Sequence, residues 1–406
     1  MKRILAFDFG ASNGRAIIAQ YYDEKLTVTE VHRFPNTPVS INDTLYWDVL
    51  KLYDEIKISI RKAQQLGGFD SIGIDTWGLD FGIIGTDGAL VQNPVHYRDS
   101  RTSGIAEETE RILTRSELYK HTGIQFMSQN TIYQLYYLFT RKKELMKSAK
   151  KILMMPDLFA YFLTGCMKCE YTNATTTGLV NAQKHTWDEY ICTKLGIDTA
   201  LLPEIIEPGS TYGLLSEAVA NELGCGRVPV IAVGTHDTAS AVVSIPAKEK
   251  DFLYISCGTW SLLGTELSKP YISDTSEKDN FTNEGGCFGT IRFLKNICGL
   301  WLIQQSKRIW QQNDPNISYA YIEAEARKAK PFQAFIDPDA PDFVNPNDMP
   351  EAIRSFCKRT HQPVPETIGQ TARVIYDSLA LKYRYISEKL SGLTGKKYSV
   401  MYMVGG

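Results

Sequence analysis

The residues best suited to chemistry are two aspartates, each placed where an apolar, strand-like run ends. Asp237 follows the run Pro229–Val233 and a Gly-Thr-His stretch, and small residues that favour a helix start come after it. Because ligands of open α/β sheets bind at the carboxyl ends of the strands, this carboxylate could face a substrate as a general base. Aspartate is also among the best N-cap residues, so a cap for a helix beginning at Thr238 is the alternative interpretation.

Asp8 ends the first apolar run and is followed by the small and polar stretch Ala11–Gly14. An Asn-Gly pair between two apolar runs is a strong signal for a β-hairpin. Backbone N–H groups of such a turn can bind an anion, and Asp8 stands where a neighbouring metal ion would need an oxygen ligand. An ordinary hairpin, with Asp8 paired within its turn, fits the pattern equally well.

A second stretch repeats the order of strand, small polar turn and strand, at Asp251–Leu263. Two such hairpins, each opening about half of the chain, predict a duplicated βββαβαβα plan with a cleft between the copies. Coincidence is the alternative, since hairpins are common. The proline-containing, charged connector Ser244–Lys250 predicts the boundary between the two copies.

Aromatic and charged residues gather after the strand-like segment Ile72–Thr76, in Trp77–Asp80 and in Tyr97–Arg101. Aromatic faces beside acids and arginines suit a polyhydroxylated ligand, because a sugar presents both C–H faces and dense hydroxyl groups. A structural network of ion pairs within the second of these stretches is the alternative. The polar run Glu170–Thr177 could add hydroxyl groups to the same cleft.

The last strand-like run, Val400–Val404, leads into Gly405, which is a plausible nucleotide contact. Gln304 lies on an apolar, helix-like stretch and could contact the same nucleotide. A solvated helix face is the alternative interpretation for Gln304.

Composition bounds these interpretations. A chain of 406 residues exceeds the usual single core, so about two domains are expected. Its 44 basic and 46 acidic residues are interspersed, which argues against a nucleic-acid or membrane partner and favours a small molecule. Asp8 interrupts the first apolar run too early for a secretory signal, and a cytoplasmic location is expected. The eight unevenly spread cysteines, including the C-x-x-C of Cys166 and Cys169, are expected to be reduced thiols.

Together these motifs resemble the FGGY family of carbohydrate kinases over almost the whole chain. The stretches that carry the resemblance are Ile74–Gly78, Tyr97–Arg101, Tyr171–Thr177, Thr235–Ala241, Gly258–Leu262 and Lys295–Asn296. The resemblance implies an α/β protein with the actin-like (ribonuclease H-like) ATPase fold. Two duplicated domains, residues 1–244 and 245–406, would flank a cleft in which ATP and a sugar meet.

The resemblance also implies roles for individual residues. Asp237 would be the general base, and Asp8 would help to hold Mg²⁺. The sugar contacts would be Gly78, His236, Asp237, Thr238 and Asn296. The nucleotide contacts would be Ala11, Ser12, Asn13, Gly14 and Arg15 in the first phosphate hairpin, Thr259 in the second, and Gln304 and Gly405.

The family members that the chain resembles most act on L-rhamnulose, which gives the expected reaction. Asp237 would accept the proton of the C1 hydroxyl as that oxygen attacks the γ-phosphoryl group of Mg-ATP. The products would be L-rhamnulose 1-phosphate and ADP. Another ketose or polyol substrate, or an inactive remnant of a kinase, are the alternatives. A monomer or small homo-oligomer is expected.

Two departures from the family pattern stand out. Cys257 replaces the serine that commonly precedes Gly-Thr-Trp, which weakens a hydrogen bond but preserves the turn. Family members also continue past the glycine run at Gly405, so the second domain is expected to be incomplete and the activity of the chain reduced.

Overall fold

The computed structural model describes residues 1–405, and contacts divide them into two compact units. The first unit comprises Met1–Ser244 together with Leu267–Phe293, and the second comprises Ile245–Glu266 together with the chain from Leu294 onward. The segment Leu267–Phe293 thus belongs to the first unit, although it follows the connector at residues 244–250.

The chain contains both strands and helices. The strands are β1 (Lys2–Phe9), β2 (Asn13–Tyr22), β3 (Lys25–Pro35), β4 (Val39–Ile41), β5 (Thr44–Tyr46), β6 (Ser71–Thr76), β7 (Phe81–Gly85), β8 (Ala149–Met154), β9 (Lys168–Glu170), β10 (Glu204–Ile206), β11 (Thr211–Leu214), β12 (Pro229–Ile231), β13 (Leu253–Cys257), β14 (Trp260–Leu267), β15 (Thr282–Gly285), β16 (Ile291–Cys298) and β17 (Met401–Val404).

The α-helices are α1 (Val49–Gln65), α2 (Ile105–Glu110), α3 (Arg115–Thr122), α4 (Thr131–Arg141), α5 (Lys143–Lys147), α6 (Met155–Thr164), α7 (Tyr171–Ala174), α8 (Glu189–Leu195), α9 (Glu217–Leu223), α10 (Asp237–Val243), α11 (Asp274–Lys278), α12 (Trp301–Asn313), α13 (Tyr319–Lys328), α14 (Met349–Arg359) and α15 (Ile368–Thr394). Short 3-10 helices cover Ser100–Thr102, Thr175–Thr177, Thr199–Leu201 and Pro341–Phe343.

The first unit is built on a six-stranded sheet in the order β11–β12–β6–β1–β2–β3. Strands β1, β2 and β3 are antiparallel neighbours, whereas β6 is parallel to β1 and β12 is parallel to β6. The parallel register places Asp8 beside Asp75. Because parallel strands end at the same edge, both carboxylates lie where a ligand of an open sheet would bind.

Alternation along β1 decides which side chains pack into the core. Leu5, Phe7 and Phe9 are buried, and the Phe9 ring stacks on Phe159 of α6 with a centroid distance of 5.0 Å. Successive side chains of a strand point to opposite faces, so Asp8 lies on the face opposite to these apolar residues. The apolar pattern therefore fixes the orientation of this acid.

The predicted hairpin between β1 and β2 is confirmed, with a different turn. Gly14 pairs with Phe9, so Asn13 and Gly14 open β2, and residues 10–12 form the turn. A Cβ atom at Gly14 would overlap the Phe34 ring of β3. The glycine is therefore needed for close packing on β3, and the Asn-Gly pair is not the turn itself.

The second unit repeats the strand order of the first. A five-stranded sheet runs β15–β16–β14–β13–β17, with β13 antiparallel to β14 and parallel to β17. The order from β16 to β17 repeats the order β3–β2–β1–β6 of the first sheet. In each unit the opening strand thus lies between its hairpin partner and a parallel strand from later in the chain, as the predicted duplication requires. Helices α12 to α15 supply a separate apolar core with buried Leu302, Ile322, Ile353 and Ile375.

No helix within residues 1–405 combines the length and apolar character that crossing a membrane requires. The eight cysteines are free thiols, and Cys169 of the C-x-x-C pair is buried.

Candidate active site

The turn between β1 and β2 carries an ion pair and free backbone donors. Arg15 donates from Nε to Oδ2 of Asp8 at 2.8 Å, as the register of β1 and β2 predicts. The N–H groups of Ala11 and Ser12 make no hydrogen bond to any residue within 1–405. Unpaired N–H groups in a tight turn form an anion-binding concavity. The turn could therefore hold a phosphate group.

Asp75, at the end of β6, has an environment that disfavours its charged form. Burial, and then the charges of Asp8 and Asp237, raise the pKa of Asp75 well above its usual value of 3.8. Ser240 and Arg15 oppose this shift. Three carboxylates thus converge on one edge of the sheet, which we call the acidic edge (Asp8, Asp75 and Asp237). Such a concentration of negative charge favours a bound cation or a retained proton.

Asp237 reaches this edge because the chain after β12 continues alongside β6. The N–H of Thr76 donates to the carbonyl of Thr235 at 2.9 Å, and a parallel bridge joins Thr76 to His236. The next residue, Asp237, is the first residue of α10. The N-cap is His236, and its side chain makes no capping bond. The cap alternative for Asp237 is therefore wrong.

The two carboxylate oxygens of Asp237 have different surroundings. Oδ1 accepts from the N–H of Thr238 at 2.6 Å and from its hydroxyl at 3.2 Å, and it lies 3.4 Å from Nε2 of His236. Within residues 1–405, Oδ2 receives no hydrogen bond. The side chain is recessed but 36% exposed, so Oδ2 is free to accept a proton from a ligand.

Desolvation is the main cause of a raised pKa at Asp237, and the charge of Asp8 adds to it. The charge of His236 and the hydrogen bonds from Thr238 oppose the shift. A carboxylate with a raised pKa is a stronger base than an exposed one, so desolvation strengthens Asp237 as a proton acceptor.

Glu170 fixes the backbone that presents Asp237. This fully buried carboxylate accepts from the N–H and hydroxyl of Thr235 at 3.0 and 2.6 Å. It also accepts from the N–H and hydroxyl of Thr172 at 2.9 and 2.6 Å and from the N–H of Asn173 at 3.3 Å. Because it accepts five hydrogen bonds from both segments, four of them at Oε2, Glu170 ties the segment before Asp237 to the polar run Glu170–Thr177.

Gly78 lies against the same polar run. A Cβ atom at Gly78 would stand 3.0 Å from Cγ2 of Thr176, so a larger residue would push the two segments apart. The next residue, Leu79, has φ of 74°, a left-handed conformation that is strained for leucine. The hydroxyl of Thr131 donates to the Leu79 carbonyl at 2.6 Å, and the Leu79 N–H donates to Thr176 at 3.2 Å. These bonds hold the strained bend beside Gly78.

The stretch Tyr97–Arg101 is bound into a buried hydrogen-bond network that includes Asp80 and Gln134. Asp80 accepts from the indole N–H groups of Trp47 and Trp77 at 2.5 and 3.1 Å and from the N–H of Tyr97 at 3.2 Å. Burial raises the pKa of Asp80 to about 6 despite these bonds. Arg101 donates to Gln134 at 2.5 Å. This network supports the bend at Gly78.

The remaining candidate residues lie in the second unit. Thr259, in the turn between β13 and β14, donates from its hydroxyl to Oε1 of Gln304 at 3.2 Å. Gly405 has φ of 95°, and a Cβ atom there would lie 2.7 Å from the carbonyl oxygen of Cys257. The structure thus brings three of the predicted nucleotide residues to one turn. Asn296 lies on β16 and is partly buried.

Sequence reasoning missed Asp75, Glu170 and Arg292 as residues of this region. Asp75 shows the signal that identified Asp8, an acid near the end of an apolar run, and could have been found in the same way. Arg292 interrupts the apolar run Ile291–Leu294, and a charge at such a position indicates a buried partner. The role of Glu170 has no comparable sequence signal, because Thr235, which supplies two of its donors, lies 65 positions further along the chain.

The residues present fit ATP and Mg²⁺. Free N–H groups in the first turn suit phosphate oxygens, and the acidic edge suits a cation. Within residues 1–405, no three or more His, Cys, Asp or Glu side chains are placed to hold a metal ion together. Mg²⁺ needs no such set, because it commonly takes one or two carboxylates and completes its shell with water and phosphate oxygens.

Comparison with known proteins gives the family. Residues 3–244 match the N-terminal domain, and residues 253–406 the C-terminal domain, of the FGGY family of carbohydrate kinases. The chain is 41% identical over 409 residues to a rhamnulokinase of Bacteroides thetaiotaomicron, covering 100% of this chain and 83% of that protein. It is 41% identical over 406 residues to a rhamnulokinase of Enterococcus faecalis, covering 99% of this chain and 81% of that protein.

Solved structures agree on the fold. A ligand-bound xylulose kinase from Lactobacillus acidophilus has a TM-score of 0.76 at 16% identity, over 100% of this chain and 81% of that chain. Plasmodium falciparum glycerol kinase with ADP also has a TM-score of 0.76 at 16% identity, over 100% of this chain and 82% of that chain. The predicted actin-like ATPase fold is confirmed.

The chain therefore belongs to the FGGY family of carbohydrate kinases, and its expected classification as a phosphotransferase acting on a sugar is confirmed. Its relatives at 41% identity are rhamnulokinases.

Proposed function

We propose that the chain transfers the γ-phosphoryl group of ATP to the C1 hydroxyl of L-rhamnulose, giving L-rhamnulose 1-phosphate and ADP, as a step of L-rhamnose catabolism. The observation that carries the reaction type is the arrangement of Asp237, whose Oδ2 is open while Oδ1 accepts two hydrogen bonds from Thr238. The choice of sugar is supported by the rhamnulokinases that are 41% identical to the chain.

Asp237 acts as the general base in this proposal. Its Oδ2 accepts the proton of the C1 hydroxyl as that oxygen attacks the γ-phosphorus and ADP leaves. Such a base contributes about 10² to 10⁴ in rate. The raised pKa of Asp237 strengthens its ionised form as a proton acceptor.

The first turn binds phosphate oxygens through Ala11 and Ser12, with Asn13, Gly14 and Arg15 completing the hairpin. Asp8 holds Mg²⁺ directly or through water. When bound, Mg²⁺ neutralises charge on the transferring phosphoryl group, which dominates catalysis of phosphoryl transfer. Arg15 keeps Asp8 oriented along the turn through the 2.8 Å bond.

Thr259, Gln304 and Gly405 form the nucleotide side of the proposal. Their convergence on one turn of the second unit supports a shared ligand. The Plasmodium glycerol kinase structure, which contains ADP, shares this fold. The sugar is contacted by Gly78, His236, Thr238 and Asn296, in addition to Asp237.

A panel of acceptors tests the proposal. Initial rates of ADP release would be measured with L-rhamnulose, L-fuculose, L-xylulose and glycerol, and the phosphorylated position would be read by ³¹P and ¹³C NMR. We expect the highest kcat/KM for L-rhamnulose and a phosphate at C1. A higher value for any other acceptor would reassign the substrate within the family.

Two further outcomes have distinct meanings. ADP release at the full rate without any sugar would show an ATPase and would refute sugar transfer. A folded protein that binds no ATP by calorimetry would support the inactive-remnant alternative.

A further inference from the structure

A buried arginine lies behind the proposed base, where the reaction as described makes no use of it. Arg292, on β16, has no exposed surface. Its Nε donates to the carbonyl of Gly285 at 2.8 Å, and its Nη2 lies 3.3 Å from Oε2 of Glu284. A buried cation is costly unless it is paired and hydrogen-bonded, so this position has a structural or functional reason.

The same guanidinium contacts His236. Nη2 of Arg292 lies 3.0 Å from Nδ1 of His236, with hydrogen-bond geometry. Glu284 is also close to this nitrogen, with Oε2 at 3.4 Å. A guanidinium has only donors and stays protonated in proteins, so Nδ1 must accept at this contact. A neutral imidazole whose Nδ1 accepts carries its hydrogen on Nε2.

That hydrogen lies on the ring nitrogen nearest the base. Nε2 of His236 lies 3.4 Å from Oδ1 of Asp237, the oxygen that accepts two hydrogen bonds from Thr238. The tautomer set by Arg292 therefore places an N–H group, and not a lone pair, in electrostatic contact with Oδ1. The carboxylate is held with one oxygen restrained and the other open.

We propose that Arg292 is a positioning residue for Asp237, acting by fixing the His236 tautomer that keeps an N–H group at Nε2 beside Oδ1 of the base. The inference rests on the proposed function of Asp237. Arg292 is sealed from ligands and acts only through His236.

Removing the guanidinium would change the partner of Nδ1. The neighbouring Glu284 carboxylate accepts hydrogen bonds, so Nδ1 would then carry a hydrogen. His236 would either lose the hydrogen on Nε2 or become a cation. In the first case a lone pair would face Oδ1 of Asp237, and in the second a positive charge would make Asp237 a weaker base.

A matched pair of variants separates this role from simple stabilisation. Arg292→Met and Glu284→Gln each disrupt the same ion pair, but only the first removes the donor to Nδ1. We expect Arg292→Met to lower kcat about 10-fold or more, a share of the general-base contribution, with little change in the KM for sugar. Glu284→Gln keeps an amide oxygen that accepts from Arg292, and its kcat should stay near that of the unaltered protein.

Two other variants complete the set. Arg292→Lys retains a charged donor and should restore part of kcat. Arg141→Gln breaks an exposed ion pair with Glu108 in the same unit and should leave kcat unchanged. The proposal would be overturned if Arg292→Met and Glu284→Gln lost kcat to the same extent and each loss followed the fall in melting temperature of that variant.

The tautomer itself can be measured without activity. In protein labelled with ¹⁵N at the histidine rings, His236 is assigned from the signal lost in His236→Gln. We expect Nδ1 of His236 to be unprotonated and Nε2 to be protonated in the unaltered protein and in Glu284→Gln. We expect this pattern to change in Arg292→Met. A protonated Nδ1 in the unaltered protein would overturn the inference, even if Arg292→Met fails to fold.

The outcomes distinguish the inference from the proposed function. If no sugar is phosphorylated but the tautomer is as stated, the proposed function fails and the Arg292–His236 arrangement stands. If L-rhamnulose is phosphorylated but the tautomer is reversed, only the inference fails.

Discussion

The opening hairpins of the two units occupy the same place in their sheets but differ in charge. Beside the first turn lies the acidic edge, where Asp8 is paired with Arg15 and the pKa values of Asp75 and Asp237 are raised. The second turn, Cys257–Trp260, has no charged residue and is called here the neutral turn. Its threonine hydroxyl binds the amide of Gln304.

The difference shows how one repeated strand order supports two kinds of chemistry. Acids at a sheet edge suit a cation and a proton, whereas hydroxyl and backbone donors at a turn suit a nucleotide. The duplicated strand order gives both units the same arrangement of strands. A few residues at the strand ends then decide which ligand each turn suits. Variants in the two regions should therefore fail in different ways.

The largest effect is expected at Asp237. Asp237→Asn keeps the shape of the side chain but removes the proton acceptor, so kcat should fall by about 10² to 10⁴ while sugar affinity persists. Single-turnover rates and calorimetric sugar binding would measure both. Asp54→Asn, which alters an exposed carboxylate on α1, serves as the control. Turnover like that of the unaltered protein would remove Asp237 from the reaction.

A smaller effect is expected at Asp8. Asp8→Asn weakens the hold on Mg²⁺, and loss of such a partner typically costs about 10- to 100-fold in metal affinity or activity. The rate should recover in part as Mg²⁺ is raised, which a titration at fixed ATP would show. Glu30→Gln, in an exposed ion pair with Arg33, is the control. A loss that no Mg²⁺ concentration relieves would argue against a metal role.

A substitution in the neutral turn should change the KM for ATP alone. Thr259→Val removes one hydroxyl from a site without charge, and the loss of one hydrogen bond should raise the KM for ATP about 10-fold. The KM for sugar should not change. Steady-state kinetics with each substrate varied in turn would show this, and an equal rise in both KM values would break the comparison between the two regions.

The smallest effect concerns stability. Because the folded-state pKa of Asp75 is raised above 3.8, folded protein keeps a proton that unfolded protein releases. The free energy of unfolding of the protein therefore falls as pH rises through and above about 4. The fall is about 1.4 kcal/mol for each tenfold difference in the proton affinity of Asp75 between the folded and unfolded protein. Asp75→Asn should flatten this dependence.

Urea unfolding between pH 5 and 8, with EDTA present to exclude divalent ions, would measure the slope. Thr259→Val, in the neutral turn, should keep the slope of the unaltered protein. An unchanged slope in Asp75→Asn would show that its carboxyl group is not the source.

The arrangement of the opening strands was well predicted from the sequence, because apolar alternation and hairpin signals are local. Both hairpins and the placement of Asp8 at the end of β1 follow from such patterns. The residues that form the first turn could not be predicted in the same way. Gly14 is required because it packs against Phe34 of β3, and local sequence does not reveal that contact.

The candidate site was only partly predictable for the same reason. Asp237 was identified by its place after a strand, but its cap interpretation failed because α10 begins one residue earlier than predicted. Glu170 and Arg292 act across long separations in the chain, at 65 residues to Thr235 and 56 residues to His236. Such contacts exist only once the strands have brought those segments together.

The buried carboxylate of Glu170 has a consequence for engineering. Since it joins the backbone before Asp237 to Thr172 and Asn173, a redesign of that polar run for a new acceptor would also displace Asp237, the proposed proton acceptor. With these proposed roles, selectivity and turnover are mechanically coupled. Directed evolution toward another sugar should therefore succeed more readily through changes at Asn296, which is not bound by Glu170.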